Sequence, residues 1–411
     1  MATDNEKEQQ QQGDRIDYGI ILTIMLLALV GCAAIFMATA NASSTGAAIK
    51  AVIMQIVWYA IGAAGIAVVM RFDTEQLWRI APVLYWVGIF LLIAVLFLYD
   101  RQTALANGAK SWFKFGPITF QPSEVMKPAY ILMLARVVTL HNAQVSHSVR
   151  NDFRLLGQML IWTLPVVVLM ILQHDFGSTL VFLAIFAGVV LISGISWKII
   201  LPVAIFAVVV GGGTILLVTQ SWGRVILERV GFEAYQFARI DSWLDPSGAT
   251  SGNSYQLWQA MKAIGSGGLT GSGLGNLQVT VPVQTSDMIF SVIGETTGFL
   301  GSGVLILLYF LLIYQMIRVT FDTKNEFYAY ISTGVIMMII FHVFENVGMN
   351  IGLLPLTGIP LPFISSGGSF LLANMLSVGM VLSMRYHYQS YMFSRDREDF
   401  SQVQLTPKRN E

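Results

Sequence analysis

The sequence has few charged residues and almost no cysteine. Only 12% of its 411 residues are charged, whereas a soluble globular protein has about 25%. Its hydrophobic fraction is 55% and its mean hydropathy is +0.64, a composition typical of a polytopic membrane protein. The single cysteine, Cys32, excludes an intrachain disulfide. The net charge of zero argues against a nucleic-acid partner.

Long apolar runs recur along the chain and predict its fold class. A bilayer core about 30 Å thick needs about 20 apolar residues per helix, and on this criterion we expect an all-α polytopic membrane protein with about ten transmembrane helices. The predicted spans are 16–40, 50–70, 79–99, 122–140, 155–173, 177–193, 197–218, 288–318, 325–350 and 366–388. They predict a transmembrane domain over 16–388, between a polar, disordered tail at 1–15 and a second tail at 389–411.

The distribution of lysine and arginine predicts the orientation of these helices. With the N-terminus inside, the short outer segments hold four such residues, Lys50, Arg101, Lys110 and Lys114. The inner segments hold fifteen: Lys7, Arg15, Arg71, Arg79, Arg136, Arg150, Arg154, Lys198, Arg318, Lys324, Arg385, Arg395, Arg397, Lys408 and Arg409. Because positive charge accumulates on the cytoplasmic side, both termini are predicted to be cytoplasmic. The 219–286 segment, between the seventh and eighth helices, then becomes a large extracellular loop.

This loop is too long to be a simple connection. Loops beyond about 15 residues in a compact protein are usually functional or disordered, and the abundance of aromatics and glycine here favours order. Residues 222–237 predict one amphipathic helix, and residues 278–283 are β-prone. The glycines between Gly265 and Gly275 predict backbone that lies flat against a substrate or the membrane surface.

A second irregular segment, 352–369, separates the last two spans. Pro355, Pro360 and Pro362 exclude a regular helix there, although the segment is strongly apolar. Irregular backbone at membrane depth is tolerated only where it is buried in protein or lines a wet cavity. We therefore predict a re-entrant lip over a cavity that opens outward.

Asp287 stands where the large loop enters the membrane at the eighth span. An ionisable residue at the centre of a span costs about 2.5–3.5 kcal/mol on the insertion scale and is a functional candidate by default. Two interpretations of Asp287 stay open. Thr285 or Ser286 could cap the helix, whose dipole would then lower the pKa of the acid; alternatively, burial could raise that pKa and make the carboxylate a base.

Other polar residues in or near the spans are also candidates, and one pair of them has two interpretations. Glu124 and Lys127, three residues apart on one helix face, form either a local ion pair or a cation that holds another carboxylate. Asp175 is predicted to be the N-cap of the sixth span. His342 is interpreted as a packing residue, and Asn350, with its neighbours Glu345 and Asn346, is expected to form interhelical hydrogen bonds.

Several long segments resemble those of one known family, the SEDS proteins, which are the shape, elongation, division and sporulation polymerases. They are GAKSWFKFGPITFQPSEVMKPAYILMLAR (108–136), HDFGST (174–179), YQLWQAMKAIGSGGLTGSGLGN (255–276), VPVQTSDMIFSVIGETTGFLG (281–301) and NVGMNIGLLPLTGIPLPFISSGGSFLLAN (346–374). The match spans nearly the whole chain outside the tails. Residues 262–274 and 286–290 are more similar to the elongation members than to the division members.

The resemblance implies a peptidoglycan glycosyltransferase of the bacterial cytoplasmic membrane that polymerises lipid II at the outer face during elongation. It implies Asp287 as the essential acid, here interpreted as a general base. The substrate-binding or supporting candidates are Glu124, Lys127, Lys110, Lys114, Ser123, Asp175, Glu295, Asn350 and Ser365. Expected partners are lipid II, membrane lipids, a class B penicillin-binding protein and MreC and MreD, and a divalent cation, Mg²⁺ or Mn²⁺, is a candidate cofactor.

Departures from the family pattern, and other functions, leave some predictions open. His174 replaces a usual proline, Ser366 a usual tyrosine, and Thr296 the second member of an acidic pair, which leaves the roles of Asp175 and Glu295 open. A lipid II flippase is one alternative function, although paired interrupted helices in two related halves, typical of transporters, are not evident. A scaffolding subunit for the transpeptidase is another, and it would make Asp287 dispensable.

Overall fold

A computed structural model describes residues 16–116, 118–146, 148–232, 234–247, 252–323 and 325–392. Long helices occupy all ten positions at which the sequence predicts a span. The last helix continues past residue 388 to Met392, while the predicted tails at 1–15 and from 393 onward lie outside the described residues.

The described elements follow one another along the chain with short connections, except in the 219–286 loop and in the irregular segment between α13 and α14. In chain order they are α1 (Tyr18–Ala42), α2 (Thr45–Val69), α3 (Thr74–Leu98), α4 (Arg101–Asn107), β1 (Phe113–Phe115), β2 (Ile118–Phe120), α5 (Pro122–Gln144), α6 (Val149–Leu172), α7 (Phe176–Ile192), α8 (Trp197–Val218), α9 (Ser221–Val230), α10 (Ala234–Leu244), α11 (Gly252–Gly267), α12 (Ile289–Thr323), α13 (Glu326–Asn350) and α14 (Gly368–Met392).

The chain is an all-α, multi-pass membrane protein. Eight of the described helices are long and apolar enough to cross a membrane. The two other predicted spans are α7, which has only 17 residues, and α5, which carries Glu124, Lys127 and Arg136. Because α5 is buried along most of its length by α3, α13 and α14, it packs against protein, and its polar residues do not face lipid.

The core surrounds α5, and the periphery exposes apolar side chains. Tyr130 of α5 is fully buried and its hydroxyl lies 2.8 Å from Thr163 Oγ of α6. By contrast, α8 exposes apolar side chains such as Phe206 along most of its length. An apolar helix exposed in this way is suited to contact with lipid.

The single amphipathic helix predicted for 222–237 is wrong, because two helices, α9 and α10, occupy this region. Gly231, with φ of 103°, ends α9 in the left-handed conformation that glycine adopts easily. Arg224 then ties three elements together: its Nε donates to Val218 O of α8 at 2.7 Å, and its guanidinium pairs with Asp241 of α10.

Part of the glycine-rich run packs against α12, at Gly267 and Gly271, whereas its apolar residues Leu269 and Leu274 are exposed. That the run lies flat on a substrate or on the membrane surface stays a prediction. A Cβ at Gly271 would stand 2.1 Å from Thr296 O, so only glycine permits this approach. The α12 helix is broken at Gly298, whose φ is 64°. Phe299 N there donates to Gly268 O at 2.9 Å. The β-prone stretch 278–283 also forms no strand: among the described residues, β structure occurs only in the β1–β2 hairpin.

The irregular backbone predicted for 352–369 is confirmed between α13 and α14, whereas the outward-facing cavity beneath it stays a prediction. Leu361, Phe363 and Ile364 are at most 1% exposed. The hydroxyl of Tyr309 on α12 donates to Pro362 O, and Gln55 Nε2 on α2 donates to Ser365 O at 3.4 Å. The lip is therefore irregular backbone enclosed by protein, as a low-dielectric environment requires.

Candidate active site

Asp287 lies in a tight turn that connects the 219–286 loop to α12. The turn begins at Val283, which has φ of 56°, a conformation rare for a β-branched residue and often found at functional sites. Ser286 N and Met288 N both donate to Val283 O, at 3.1 and 3.4 Å. Asp287 thus lies two residues before Ile289, the first residue of α12, and the described hydrogen bonds include no cap of this helix by the side chain of Thr285 or Ser286.

Two asparagines of α13 hold the backbone of this turn. Asn346 Nδ2 donates to Asp287 O at 2.8 Å and Asn350 Nδ2 donates to the same oxygen at 3.1 Å. Asn346 also donates to Ile359 O of the lip at 2.8 Å. The interhelical hydrogen bonds predicted for Asn346 and Asn350 are therefore present. They involve only the backbone oxygen of Asp287, so its carboxyl group takes no part in them.

The lip holds the same turn from the other side. Ser365 Oγ donates to Ser286 O at 2.7 Å and accepts from Leu361 N at 2.8 Å. Ser366 N donates to Thr285 O at 2.9 Å. The turn is thus fixed by side chains of α13 and by the lip, which is the kind of rigid support that a reacting group needs.

The Asp287 carboxyl is partly buried, and its surroundings shift its acidity. Burial raises the pKa of Asp287 to about 7, while a hydrogen bond from Ser286 and the nearby positive charge of Arg239 lower it. Gly358 of the lip faces the carboxylate so closely that a Cβ there would stand 3.3 Å from Oδ2. Of the two effects considered for Asp287, the rise of the pKa by burial outweighs the lowering; its role as a base stays a prediction.

Arg239 is a candidate site residue that sequence reasoning missed. It lies on α10, is partly buried, and its Nη1 is 3.4 Å from Thr357 O at the lip. It is also the cation that acts on Asp287. In the sequence, Arg239 cannot be told from Arg224 or Arg229 of the same loop, because only the tertiary fold brings α10 to the lip.

Glu124 and Lys127 form a second polar group, at the start of α5. Lys127 Nζ lies 2.7 Å from Glu124 Oε1, and both side chains are buried. The local ion pair is therefore present. Asp175 lies within electrostatic range of Glu124, but the described contacts of Lys127 do not include Asp175, so the second interpretation, in which Lys127 holds another carboxylate, stays open.

Asp175 is the N-cap of α7, as predicted. Its Oδ1 accepts from Ser178 N at 3.0 Å, and its Oδ2 accepts from Gln121 Nε2 at 2.9 Å. Gln121 N in turn donates to Ser369 Oγ at the start of α14, at 3.3 Å. Asp175 therefore joins α5, α7 and α14 beside the Glu124–Lys127 pair.

One face of α13 connects the two polar groups. His342 Nε2 lies 3.2 Å from Lys127 Nζ, and Asn346, four residues later and hence on the same helix face, holds Asp287. The predicted packing role of His342 is thus incomplete, because this ring also contacts a buried cation. The sequence pattern did not reveal the contact, since α5 and α13 are far apart along the chain.

The remaining predicted site residues lie elsewhere or have structural partners. Lys110 Nζ is over the Tyr99 ring, 5.7 Å from its centroid. Lys114 is exposed on the β1–β2 hairpin and donates to Gln102 at 3.0 Å. Among their described contacts, neither lysine reaches Asp287. Ser123 is buried, and its Oγ has no partner among the described residues.

Glu295 anchors the 219–286 loop. Its Oε1 accepts from Gln278 N at 2.6 Å and from Val279 N at 3.1 Å, while its backbone oxygen accepts from Ser272 N. Glu295 is 1% exposed. Glu295, predicted as a supporting residue, therefore fixes the segment around residues 278–279 that precedes Asp287. Its described contacts do not include Asp287 itself.

The described residues contain no group of three or more histidine, cysteine, aspartate or glutamate side chains that could hold a metal ion. This part of the chain thus offers no ready-made protein cage for a divalent cation. Mg²⁺ often binds through one or two carboxylates together with substrate phosphates, an arrangement that needs no such group.

Two apolar grooves open on the surface. One, of about 590 Å³, lies between α1 and the glycine-rich run and is lined by residues that include Phe36, Met37 and Leu277. The other, of about 450 Å³, follows α3 and is lined by residues that include Trp86 and Phe90. Asp287 lines neither groove.

Comparison with known proteins assigns the family. The family model FTSW_RODA_SPOVE, described as "Cell cycle protein", matches residues 18–390. The peptidoglycan glycosyltransferase MrdB of Escherichia coli strain K12 is 31% identical over 379 residues, which cover 91% of this chain and 95% of that protein.

Solved structures show the same architecture. The crystal structure of the rod shape determining protein RodA of Thermus thermophilus matches with a TM-score of 0.63 at 26% identity, covering 90% of this chain and 97% of that one. A chain from a peptidoglycan synthase complex, solved in a study of coordinated polymerization and crosslinking, matches with a TM-score of 0.71 at 26% identity, covering 92% and 99%. This chain therefore belongs to the FtsW, RodA and SpoVE family, the SEDS family that its sequence resembles.

Proposed function

We propose that this chain is a peptidoglycan glycosyltransferase that polymerises lipid II, with Asp287 as its general base. The class of activity follows from family membership, since the relative MrdB is a peptidoglycan glycosyltransferase. The observation that supports the assignment to Asp287 is its position: a partly buried carboxyl on a turn held by Asn346, Asn350 and Ser365, with a pKa raised to about 7.

The proposed reaction is an inverting glycosyl transfer. The 4-hydroxyl of the acceptor GlcNAc forms a bond to the anomeric carbon of the donor, and its proton passes to the Asp287 carboxylate. The bond from that carbon to the undecaprenyl diphosphate breaks, and the electron pair leaves with the diphosphate. Because the transition state resembles an oxocarbenium ion, proton loss can be late and a moderate base suffices.

Cationic side chains would stabilise the leaving diphosphate. Arg239 is the cation whose charge acts on Asp287, so we place the diphosphate on the Arg239 side of the turn. Its planar guanidinium suits phosphate oxygens. Lys110 and Lys114, the earlier candidates, are retained as residues that meet the substrate at the outer surface.

A divalent cation, Mg²⁺ or Mn²⁺, remains part of the proposal. Such an ion would arrive with the diphosphate, since the described residues form no resident metal cage. Loss of polymerisation in EDTA, restored by adding back Mg²⁺ or Mn²⁺, tests this point.

The orientation and the partners are proposals of the same kind. The excess of lysine and arginine on one side favours cytoplasmic termini and a reaction at the outer face of the bacterial cytoplasmic membrane. The neighbour from a peptidoglycan synthase complex supports pairing with a class B penicillin-binding protein. Roles in elongation and contacts with MreC and MreD rest on the resemblance of 262–274 and 286–290, and co-purification from cells tests them.

The dependence of the rate on pH tests the protonation state of Asp287. The deprotonated carboxylate is the active form, and its pKa is raised to about 7. We therefore expect kcat/KM, which reports groups of the free enzyme, to rise about tenfold per pH unit below pH ~6 and to level off above pH ~8. Because Arg239 lowers this pKa, Arg239→Gln should move the midpoint to higher pH. A kcat/KM that does not change between pH ~6 and ~8 would contradict this role, because an aspartate of ordinary pKa is already deprotonated throughout that range.

The function itself is tested with labelled lipid II in liposomes. A glycosyltransferase produces glycan chains that separate on a gel, whereas a flippase moves the lipid to the other leaflet without forming chains. Translocation without chains, from protein purified together with its transpeptidase partner, would replace the proposed function with the transporter alternative.

A further inference from the structure

The buried ammonium of Lys127 has two hydrogen-bond partners among the described residues. Its Nζ lies 2.7 Å from Glu124 Oε1 and 3.2 Å from His342 Nε2. The Lys127 side chain is 2% exposed, and His342 is 1% exposed. A buried cation is costly unless it is paired and hydrogen-bonded, so both contacts matter for keeping it in place.

The contact at Nδ1 of the His342 ring determines that Nε2 is the nitrogen that can accept a hydrogen bond. His342 Nδ1 is within hydrogen-bond distance of Met338 O, one turn earlier in α13. A carbonyl oxygen can only accept, so Nδ1 must carry the proton. In the neutral ring Nε2 then has a free lone pair, directed at Lys127, and the ammonium donates to it.

After these contacts, one N–H of Lys127 and one carboxylate oxygen of Glu124 still have no hydrogen-bond partner among the described residues. An ammonium has three N–H donors, of which Glu124 and His342 take two. Glu124 uses Oε1 for the ion pair, and its Oε2 is buried with no hydrogen-bond partner among the described residues. One ammonium N–H and one carboxylate oxygen therefore have no hydrogen-bond partner among the described residues, and the ammonium also lies over the Phe370 ring, 5.7 Å from its centroid.

A donor next to an acceptor fits a neutral polar group better than an anion. A sugar hydroxyl or an acetamido group can accept from the ammonium and donate to the carboxylate at the same time. A diphosphate offers only acceptors, and the Glu124 carboxylate would repel it. The pair is therefore suited to the saccharide part of a substrate, apart from the diphosphate that we place near Arg239.

We infer that His342 is a positioning residue for the saccharide in the proposed glycosyl transfer, on which this inference rests. By accepting from Lys127, it fixes the direction of the remaining ammonium N–H and keeps the cation against Glu124. It does so from the same helix face on which Asn346 holds the Asp287 turn. His342 thereby gives α13 contacts with both polar groups.

The test compares two replacements of His342 in the purified full-length protein. Leucine is close to histidine in size but has no acceptor, whereas glutamine retains one. We expect His342→Leu to lower kcat/KM for lipid II about 10- to 100-fold, the effect of losing one hydrogen bond to a charged group, and His342→Gln to recover most of that loss. Because the residues are coupled, His342→Leu should lower the melting temperature less in a Lys127→Met background than in the wild type.

A matched control uses another buried histidine of the bundle. His141 is 6% exposed and contacts Gln158 near the far end of α5. His141→Leu should leave kcat/KM unchanged. Thermal melting of every variant in detergent, with assays run below each midpoint, separates loss of fold from loss of positioning.

Three results would overturn the inference: wild-type kcat/KM in His342→Leu, equal kcat/KM in the leucine and glutamine variants, or an equal effect of His342→Leu on the melting temperature with and without Lys127. Failure of the proposed function gives a different pattern, with no glycan from the wild type or any variant. In that case the inference fails with it, although a double-mutant cycle on the melting temperatures would still report the His342–Lys127 contact.

Discussion

Replacing Asp287 by asparagine is expected to lower kcat/KM for lipid II polymerisation by about 10²- to 10⁴-fold, the usual contribution of a general base. Asparagine has nearly the same shape as aspartate but cannot take a proton at neutral pH. The backbone oxygen of residue 287 would still accept from Asn346 and Asn350. We therefore expect the turn to keep its conformation while the rate falls.

The control for this variant is an acid in the same outer loop that lies away from the turn. Asp245 is exposed and accepts from Ser247 Oγ at 2.9 Å. Asp245→Asn should polymerise lipid II at the wild-type rate. Equal losses in Asp245→Asn and Asp287→Asn would show that the loop, and no particular carboxylate, is sensitive to the loss of charge.

The second large effect is expected from breaking the buried Glu124–Lys127 pair. Both side chains are at most 5% exposed, and removing one partner of a buried pair costs about 3–5 kcal/mol because the other charge is left uncompensated. Lys127→Met should therefore lower the melting temperature strongly and abolish polymerisation. The double variant Glu124→Gln with Lys127→Met removes both charges, so it should recover much of the stability and none of the activity.

An exposed pair provides the comparison for this experiment. Glu75 and Arg79 form a salt bridge on the surface of α3, and such pairs contribute about 0–1 kcal/mol. Arg79→Met should hardly change melting or rate. If the Glu124→Gln, Lys127→Met double variant polymerised lipid II normally, the pair would have a purely structural role.

The helices could be predicted from the sequence because their signals are local. Long apolar runs predicted all ten long helices, and prolines predicted the irregular lip. Composition and hydropathy do not depend on where the segments meet in space. The ordered motifs were sufficient for the family and, through it, for the class of activity.

The features that the sequence did not predict depend on contacts between distant segments. The break of α12 at Gly298 exists because Gly271 and its neighbours pack into it. Gly231 divides the outer helix that hydrophobic periodicity predicted as one.

The same reason explains the part of the site that was missed. The sequence predicts Asn350, near the end of the ninth span, and Ser365 as supporting residues, and both contact the turn of Asp287. Arg239 and His342 have no comparable local signal, since their partners are about 50 and 215 residues away. The catalytic role of Asp287 itself stays a prediction.

The most direct measurement is a gel assay of labelled lipid II with purified wild-type protein and Asp287→Asn, each bound to the transpeptidase partner. We predict long glycan chains from the wild type and none above background from the variant, at equal protein concentration and equal melting temperature. Chains of the same length and amount from both proteins would contradict the assignment of Asp287 as the group that takes the proton.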